Sequence, residues 1–183
     1  MPKKSSNSVR IIGGKLRRHL ITFPHAIGLR PTPDRVRETL FNWLGQDLTG
    51  KMCLDLFAGS GALGFEAASR YAKRVVMVEM AKPVYLQLHQ NRARLQLQST
   101  VELHHQSALS YLAQNSTPFD LIFLDPPFAS DLLVQILPLL APHVAEEGVI
   151  YIEAAQPPTL PVGHWLKQGK AGEVHFGLAT LTS

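Results

Sequence analysis

From residue 52 onward, short apolar runs alternate with stretches of helical spacing. Strands are predicted over 52–57, 75–79, 101–105, 119–125 and 149–153, because β-branched and aromatic residues crowd these runs. Helices are predicted over 62–71, 82–97, 107–114 and 131–140, with Pro138 disturbing the last. The unbroken runs Val75-Val76-Met77-Val78 and Leu121-Ile122-Phe123-Leu124 suit strands buried on both faces. This β-α-β-α order predicts an open, mostly parallel sheet covered by helices. Residues 164–170 and 173–181 flank a glycine-containing turn with no helix between them, and predict a terminal antiparallel hairpin.

The first fifty residues follow another pattern. Residues 1–8 are polar and are expected to lack structure. Residues 9–14 and 16–23 are rich in β-formers, separated by Gly-Gly-Lys, and predict a small hairpin. Thr32 is expected to cap a helix with Pro33 at its first position and Asp34 in its first turn. Val36, Leu40, Trp43 and Leu44 then give that helix one apolar face, which places Trp43 in the core. The expected division is a basic extension over 1–30 and an α/β domain over 31–183.

Charge separates the same two regions. Residues 1–50 hold nine Lys or Arg and three Asp or Glu, whereas residues 51–183 hold nine and eleven. A basic segment on a near-neutral body fits contact with a polyanion, the alternative being a solvated tail. The chain has 183 residues and one cysteine. That length suits a single domain with its own core, and no internal disulfide is possible. No apolar run approaches the ~20 residues that cross a bilayer. The expectation is a soluble cytoplasmic protein without a signal peptide, monomeric because no broad apolar stripe is evident. Cys53 reads as buried packing. His104 and His105 are adjacent in a strand, face opposite ways and do not form a metal site.

Two segments carry candidate chemistry. Asp55 through Gly64 reads Asp-Leu-Phe-Ala-Gly-Ser-Gly-Ala-Leu-Gly, a G-x-G-x-x-G between a predicted strand and helix. Such a loop turns tightly and lets a ligand approach the backbone. Glu79 ends the next strand, where an acid accepts hydrogen bonds from ribose hydroxyls. Together these point to a nucleoside cofactor. The bland alternatives are that Asp55 satisfies loop amides and Glu79 caps the next helix. The second segment, Asp125-Pro126-Pro127-Phe128, follows a strand on the same sheet edge. Its prolines stiffen the turn. Its acceptors, the Asp125 carboxylate and Pro126 carbonyl, suit an exocyclic amino group, and Phe128 suits stacking on a base. The bland alternative is a strand-ending turn.

These motifs resemble those of the Rossmann-like S-adenosylmethionine-dependent methyltransferases. A closer resemblance lies in Val9-Arg10-Ile11-Ile12-Gly13-Gly14-Lys15, in Leu29-Arg30-Pro31-Thr32 and in Arg35 through Leu44, Arg-Val-Arg-Glu-Thr-Leu-Phe-Asn-Trp-Leu. Over about residues 9–153 the chain resembles the bacterial 16S rRNA (guanine-N2)-methyltransferases of the RsmD type. The resemblance implies an α/β class I methyltransferase fold with a seven-stranded sheet, a terminal antiparallel hairpin and a small N-terminal β-hairpin. It implies S-adenosylmethionine as cofactor and one guanine of 16S rRNA as substrate, within the 30S subunit or an assembly intermediate. Catalysis would rest on Asp125, Pro126, Pro127 and Phe128. Cofactor contacts would come from Thr32, Asp55, Phe57, Ala58, Gly59, Ser60, Gly61, Glu79, Met80, Ser107, Ala108 and Asp125. Ser107 stands where many relatives carry Asp or Asn. RNA contacts would come from Arg10, Lys15, Arg17, Arg18, Arg30, Arg35 and Arg37, though Arg35 or Arg37 has Asp34 and Glu38 as alternative partners. No metal is expected. Competing readings are a DNA adenine-N6 methyltransferase, a nicotinamide-dependent oxidoreductase, which leaves the Asp125 tetrad unexplained, and a non-enzymatic RNA-binding protein.

Overall fold

A computed structural model describes residues 7–181. Seven strands form one sheet in the order β5-β4-β3-β6-β7-β9-β8. They are β3 (Met52–Asp55), β4 (Arg74–Glu79), β5 (Val101–His105), β6 (Phe119–Leu124), β7 (Val144–Ala154), β8 (His164–Ala171) and β9 (Val174–Thr180). The first five pair in parallel, and β9 is antiparallel to both β7 and β8. Strand order reverses beside β3, so a crevice opens at the carboxyl ends of β3 and β6, where ligands of open α/β sheets bind. A separate antiparallel pair joins β1 (Asn7–Arg10) to β2 (Leu20–Phe23). Residues 7 and 8 are therefore strand, contrary to the expectation for 1–8, and the remainder of that expectation lies outside the described residues.

The N-terminal hairpin is looser than its sequence implies. Its strands are joined by the turn-rich stretch 11–19 and not by Gly-Gly-Lys alone. Gly13 and Gly14 serve a different purpose. A Cβ on Gly13 would meet Arg70 Nη2 at 2.4 Å, and one on Gly14 (φ +74°) would meet the Ser69 carbonyl at 2.0 Å. These glycines let the loop lie against the end of α2 (Ala62–Ser69). All eight residues of α2 are buried: six are small or apolar, and Glu66 and Ser69 are hydrogen-bonded within the fold. The sheet covers one side of it. The hairpin and α1 (Asp34–Trp43) cover the other, so Val9, Ile11, Ile21 and Phe23 join the same core as Leu40, Phe65 and Phe123.

The remaining helices are α3 (Lys82–Arg94), α4 (Ala108–Gln114) and the short α5 (Leu132–Ile136), which gives way to 3-10 turns at Pro138 and Pro142. Strand β7 starts earlier than its apolar run, and Glu147 takes a left-handed backbone (φ +60°) where pairing with β6 shifts register. Cys53 is buried, and loss of hydration pushes its thiol up to about 12. Trp43 is half-buried and stacks on Phe176 at 5.5 Å between ring centroids.

Candidate active site

The glycine loop is tied to the strands that flank it. The Leu56 N–H donates to the Phe123 carbonyl (3.2 Å) and the Ala58 N–H to the Val78 carbonyl (2.9 Å). Gly59 and Gly61 have positive φ, +51° and +86°, and Gly61 stands immediately before α2. A Cβ on Gly61 would meet Phe65 at 2.5 Å and Leu88 at 2.8 Å. One on Gly64 would meet the Met77 sulfur at 2.8 Å, so this third glycine sets the helix–strand spacing. Ala58 and Ser60 are buried and Phe57 half-buried. Leu29, from the loop 24–31, leans onto Gly59, whose Cβ would lie 3.0 Å from Leu29 Cδ1.

Acids gather at this sheet edge. Asp55 ends β3 and is buried. Its Oδ2 accepts the Gly64 N–H (3.0 Å), whereas Oδ1 is buried without a hydrogen-bond partner. Burial pushes the Asp55 carboxyl up to about 7; the Gly64 and Phe57 backbone amides restrain the rise, and repulsion from Glu79 and Glu153 adds to it. A carboxylate so placed fits an incoming cationic donor such as an amino acid ammonium group. Glu79 ends β4; its two oxygens accept the Gly59 N–H (2.9 Å) and the Ala81 N–H (2.7 Å). It thus stiffens the glycine loop and caps the approach to α3, while staying half-exposed at the edge.

The Asp125 tetrad follows β6, the strand next to β3 and two along from β4, on the same edge. Leu124 of β6 pairs with Ile152 of β7, so the next residues along, Asp125 and Glu153, are neighbours. Pro126 is buried, Pro127 is exposed and Phe128 is 50% exposed. The turn is closed by Ser130, whose N–H (3.0 Å) and hydroxyl (2.6 Å) both donate to the Pro127 carbonyl. Half-buried Asp125 has its carboxyl held well above the ordinary range, chiefly by lost hydration and then by Glu153 and Asp55.

Two expected assignments change. Thr32 is not a helix cap. Pro33 occupies that position, and the buried Thr32 hydroxyl donates instead to Glu153 Oε1 at 2.7 Å. Thr32 is still brought beside the tetrad. Arg37 is not an RNA contact. It is fully buried, donating to the carbonyls of Thr32 (3.0 Å) and Arg10 (2.9 Å), to Glu66 (3.2 Å) and to Asp34. Glu66 turns it inward, since that carboxylate also accepts the Ile12 and Gly13 N–H groups and Arg70 Nε. Ser107 is the cap of α4, its hydroxyl oxygen accepting the Ser110 N–H (3.1 Å). Ala108 beside it is buried, while Met80 is 69% exposed and flanks Glu79.

Arg10, Lys15, Arg17, Arg18, Arg30 and Arg35 are exposed. They are spread along the N-terminal segment and α1. The Lys15 N–H donates to the Ser69 carbonyl at the far end of α2, whereas Arg30 and Arg35 flank Thr32 at the acidic edge. Among the described residues no group of His, Cys, Asp and Glu could hold a metal, and no helix is long and apolar enough to cross a membrane.

Glu153 and Tyr151 were absent from the sequence-predicted site. Tyr151 hydroxyl donates to Glu153 Oε1 (2.9 Å) beside Thr32. The signal existed: Tyr-Ile-Glu places an acid at the end of an apolar strand, as in β3 and β4.

A family model described as "Conserved hypothetical protein 95" matches residues 9–180. The chain is 44% identical to "Ribosomal RNA small subunit methyltransferase D" of Escherichia coli strain K12, over 94% of this chain and 90% of that protein. It is 42% identical to the protein of the same name from Haemophilus influenzae, over 95% and 94%. A solved Escherichia coli structure, 43% identical, superposes with a TM-score of 0.85 over 94% of this chain and 97% of its own. The chain belongs to this family.

Proposed function

We propose that this member of the family transfers a methyl group from S-adenosylmethionine to the exocyclic N2 of one guanine in 16S rRNA. The observation that carries the reading is the shared sheet edge. The glycine loop with Asp55 and Glu79, and the Asp125 tetrad with exposed Phe128, converge where strand order reverses. The names of its relatives, small-subunit rRNA methyltransferases, supply the substrate class. They do not favour DNA or a nicotinamide cofactor.

The chain's residues divide the work. The unpartnered Asp55 Oδ1 fits the ammonium group of the cofactor's methionine end. Glu79 would accept the ribose hydroxyls with the lone pairs its backbone contacts leave free. Met80, Ser107 and Ala108 would border the base. When bound, S-adenosylmethionine supplies a methyl carbon on a sulfonium. Phe128 stacks on the guanine and fixes its plane. Asp125 and the Pro126 carbonyl accept the amino N–H groups, which localises the nitrogen lone pair for attack. The nitrogen would take the methyl as the carbon–sulfur bond breaks and the sulfonium leaves as a neutral thioether, and the proton the nitrogen sheds would pass to Asp125, whose proton affinity is raised by burial.

The exposed cations of the N-terminal segment and α1 would hold RNA phosphates, giving affinity with little base choice. The partner is 16S rRNA within the 30S subunit or an assembly intermediate, and the enzyme acts as a cytoplasmic monomer. The test is transfer of labelled methyl to naked 16S rRNA, to 30S subunits lacking the modification and to duplex DNA. N2-methylguanine from the ribosomal RNA is expected. N6-methyladenine from DNA would overturn the reading.

A further inference from the structure

The Glu153 carboxyl has no place in the reaction above, yet it lies beside Asp125 on the same face of the sheet. Register sets this: Leu124 pairs with Ile152, and Tyr151 and Glu153, two residues apart, point the same way. Both hydrogen bonds of Glu153, from Thr32 and Tyr151, end on Oε1. The other oxygen, Oε2, receives neither and is left for a further donor. Burial keeps this carboxyl above its ordinary range, as it does the neighbouring Asp125. Two adjacent carboxylates are costly without a ligand that brings donors to both.

Guanine brings such a pair. Its Watson–Crick edge carries the N1–H and the N2 amino group side by side. Adenine carries its N6 amino group beside the bare N1, an acceptor, which a second carboxylate would repel. We infer that Glu153 is a specificity-determining residue: its Oε2 accepts the guanine N1–H while Asp125 holds the N2 amino group. This rests on the reading of the site as a guanine-N2 methyltransferase. Thr32 and Tyr151 both hold Oε1, which leaves Oε2 as the oxygen for the base. A site built on such an acceptor rejects a base that lacks the matching donor, because the oxygen, once covered by the base, is left unpaired.

The test uses 30S subunits reconstituted with 16S rRNA carrying guanine or 2-aminopurine at the methylated position. 2-Aminopurine keeps the exocyclic amine but has no N1–H and no O6. The wild type is expected to prefer guanine by about 100-fold or more in kcat/KM. Glu153→Gln keeps an acceptor for Thr32 and Tyr151 and offers an amide to the bare N1. Its preference for guanine should fall at least about tenfold below that of the wild type. Loss of O6 affects both enzymes and cancels in the double ratio. Tyr151→Phe removes a support but not Oε2, and should keep the wild-type preference. A Glu153→Gln enzyme with the wild-type ratio overturns the inference. So does a wild-type preference under about fivefold, which requires no variant to fold. A wild type silent on the guanine subunits would instead overturn the functional reading itself.

Discussion

Replacing Arg37 by alanine tests whether the arginine-rich helix is an RNA surface or a folding device. The guanidinium is fully buried and serves Glu66, the Thr32 carbonyl and the Arg10 carbonyl at 3.2, 3.0 and 2.9 Å. Its contact with Asp34 matters little, because that carboxylate is 65% exposed. Removing one partner of a buried ion pair costs about 3–5 kcal/mol. Here Arg70 Nε remains 3.0 Å from Glu66 and keeps part of the charge balanced. The two carbonyls lose their donor and add to the loss, but they belong to one network and do not sum independently. A net loss of about 3 kcal/mol follows, a large share of the 5–15 kcal/mol that holds a domain. For a chain of this size it lowers Tm by roughly 6–12 °C. Urea unfolding of Arg37→Ala beside Arg35→Ala, an exposed residue two positions away, reads the difference. Arg35→Ala should stay within about 0.5 kcal/mol of the wild type. If Arg37→Ala unfolds at the wild-type midpoint while its RNA affinity drops, the buried-network argument is wrong.

Asp125→Asn keeps the shape of the tetrad but removes the proton acceptor, and should lower kcat about 100-fold or more with cofactor affinity unchanged; calorimetry and single-turnover transfer separate the two. Glu79→Ala loses the ribose acceptor and the Gly59 and Ala81 amide contacts, so cofactor Kd should rise at least about tenfold. Reversing Arg17 and Arg18 to Glu should weaken RNA binding and flatten its salt slope, leaving kcat at saturating RNA near normal. Asp55 gives a pH signature. Its folded pKa, about 7, lies above the ordinary carboxyl value, so the unfolded chain releases this proton first and stability drains away as pH climbs from about 4 to 7. Asp55→Asn cannot titrate. Its stability relative to the wild type should improve by a few kcal/mol between pH 5 and pH 8 in urea, and a pH-independent difference would show that Asp55 is not strained by burial.

Much of this was legible in the chain because local chemistry and global placement agreed. The apolar runs gave the parallel strands, and acids at strand ends gave Asp55, Glu79 and Asp125. What escaped was set by distance. Arg37 looked like a surface cation because helical spacing places it beside Val36 and Leu40 without saying what α1 packs upon. Only the tertiary approach of Glu66, 29 residues later, turns it inward. Thr32 looked like a cap because it precedes Pro33 and Asp34. Its hydroxyl is claimed instead by Glu153, 121 residues away. The Gly13-Gly14 pair read as a hairpin turn, whereas its demand comes from Arg70 and Ser69 crowding the loop.

The two groups of buried acids then separate by how they are satisfied. Glu66 receives two backbone amides and two guanidinium groups, so its charge is spent within the fold. It anchors the N-terminal hairpin to α2, and with it Arg37 fixes the Thr32 carbonyl at the entrance to the site. The edge acids are not so provided for. Asp55 has an oxygen without a partner, and Asp125 and Glu153 stand side by side in one desolvated corner. A fold under no other demand would pair these groups or replace them, since an unpaired buried carboxylate costs stability. Their shortage is one of donors and positive charge. On the proposed reading, an ammonium group, an amino group and an N1–H would make up that shortage. The Arg37–Glu66 network keeps that deficit affordable by holding the helix and loop above it in place.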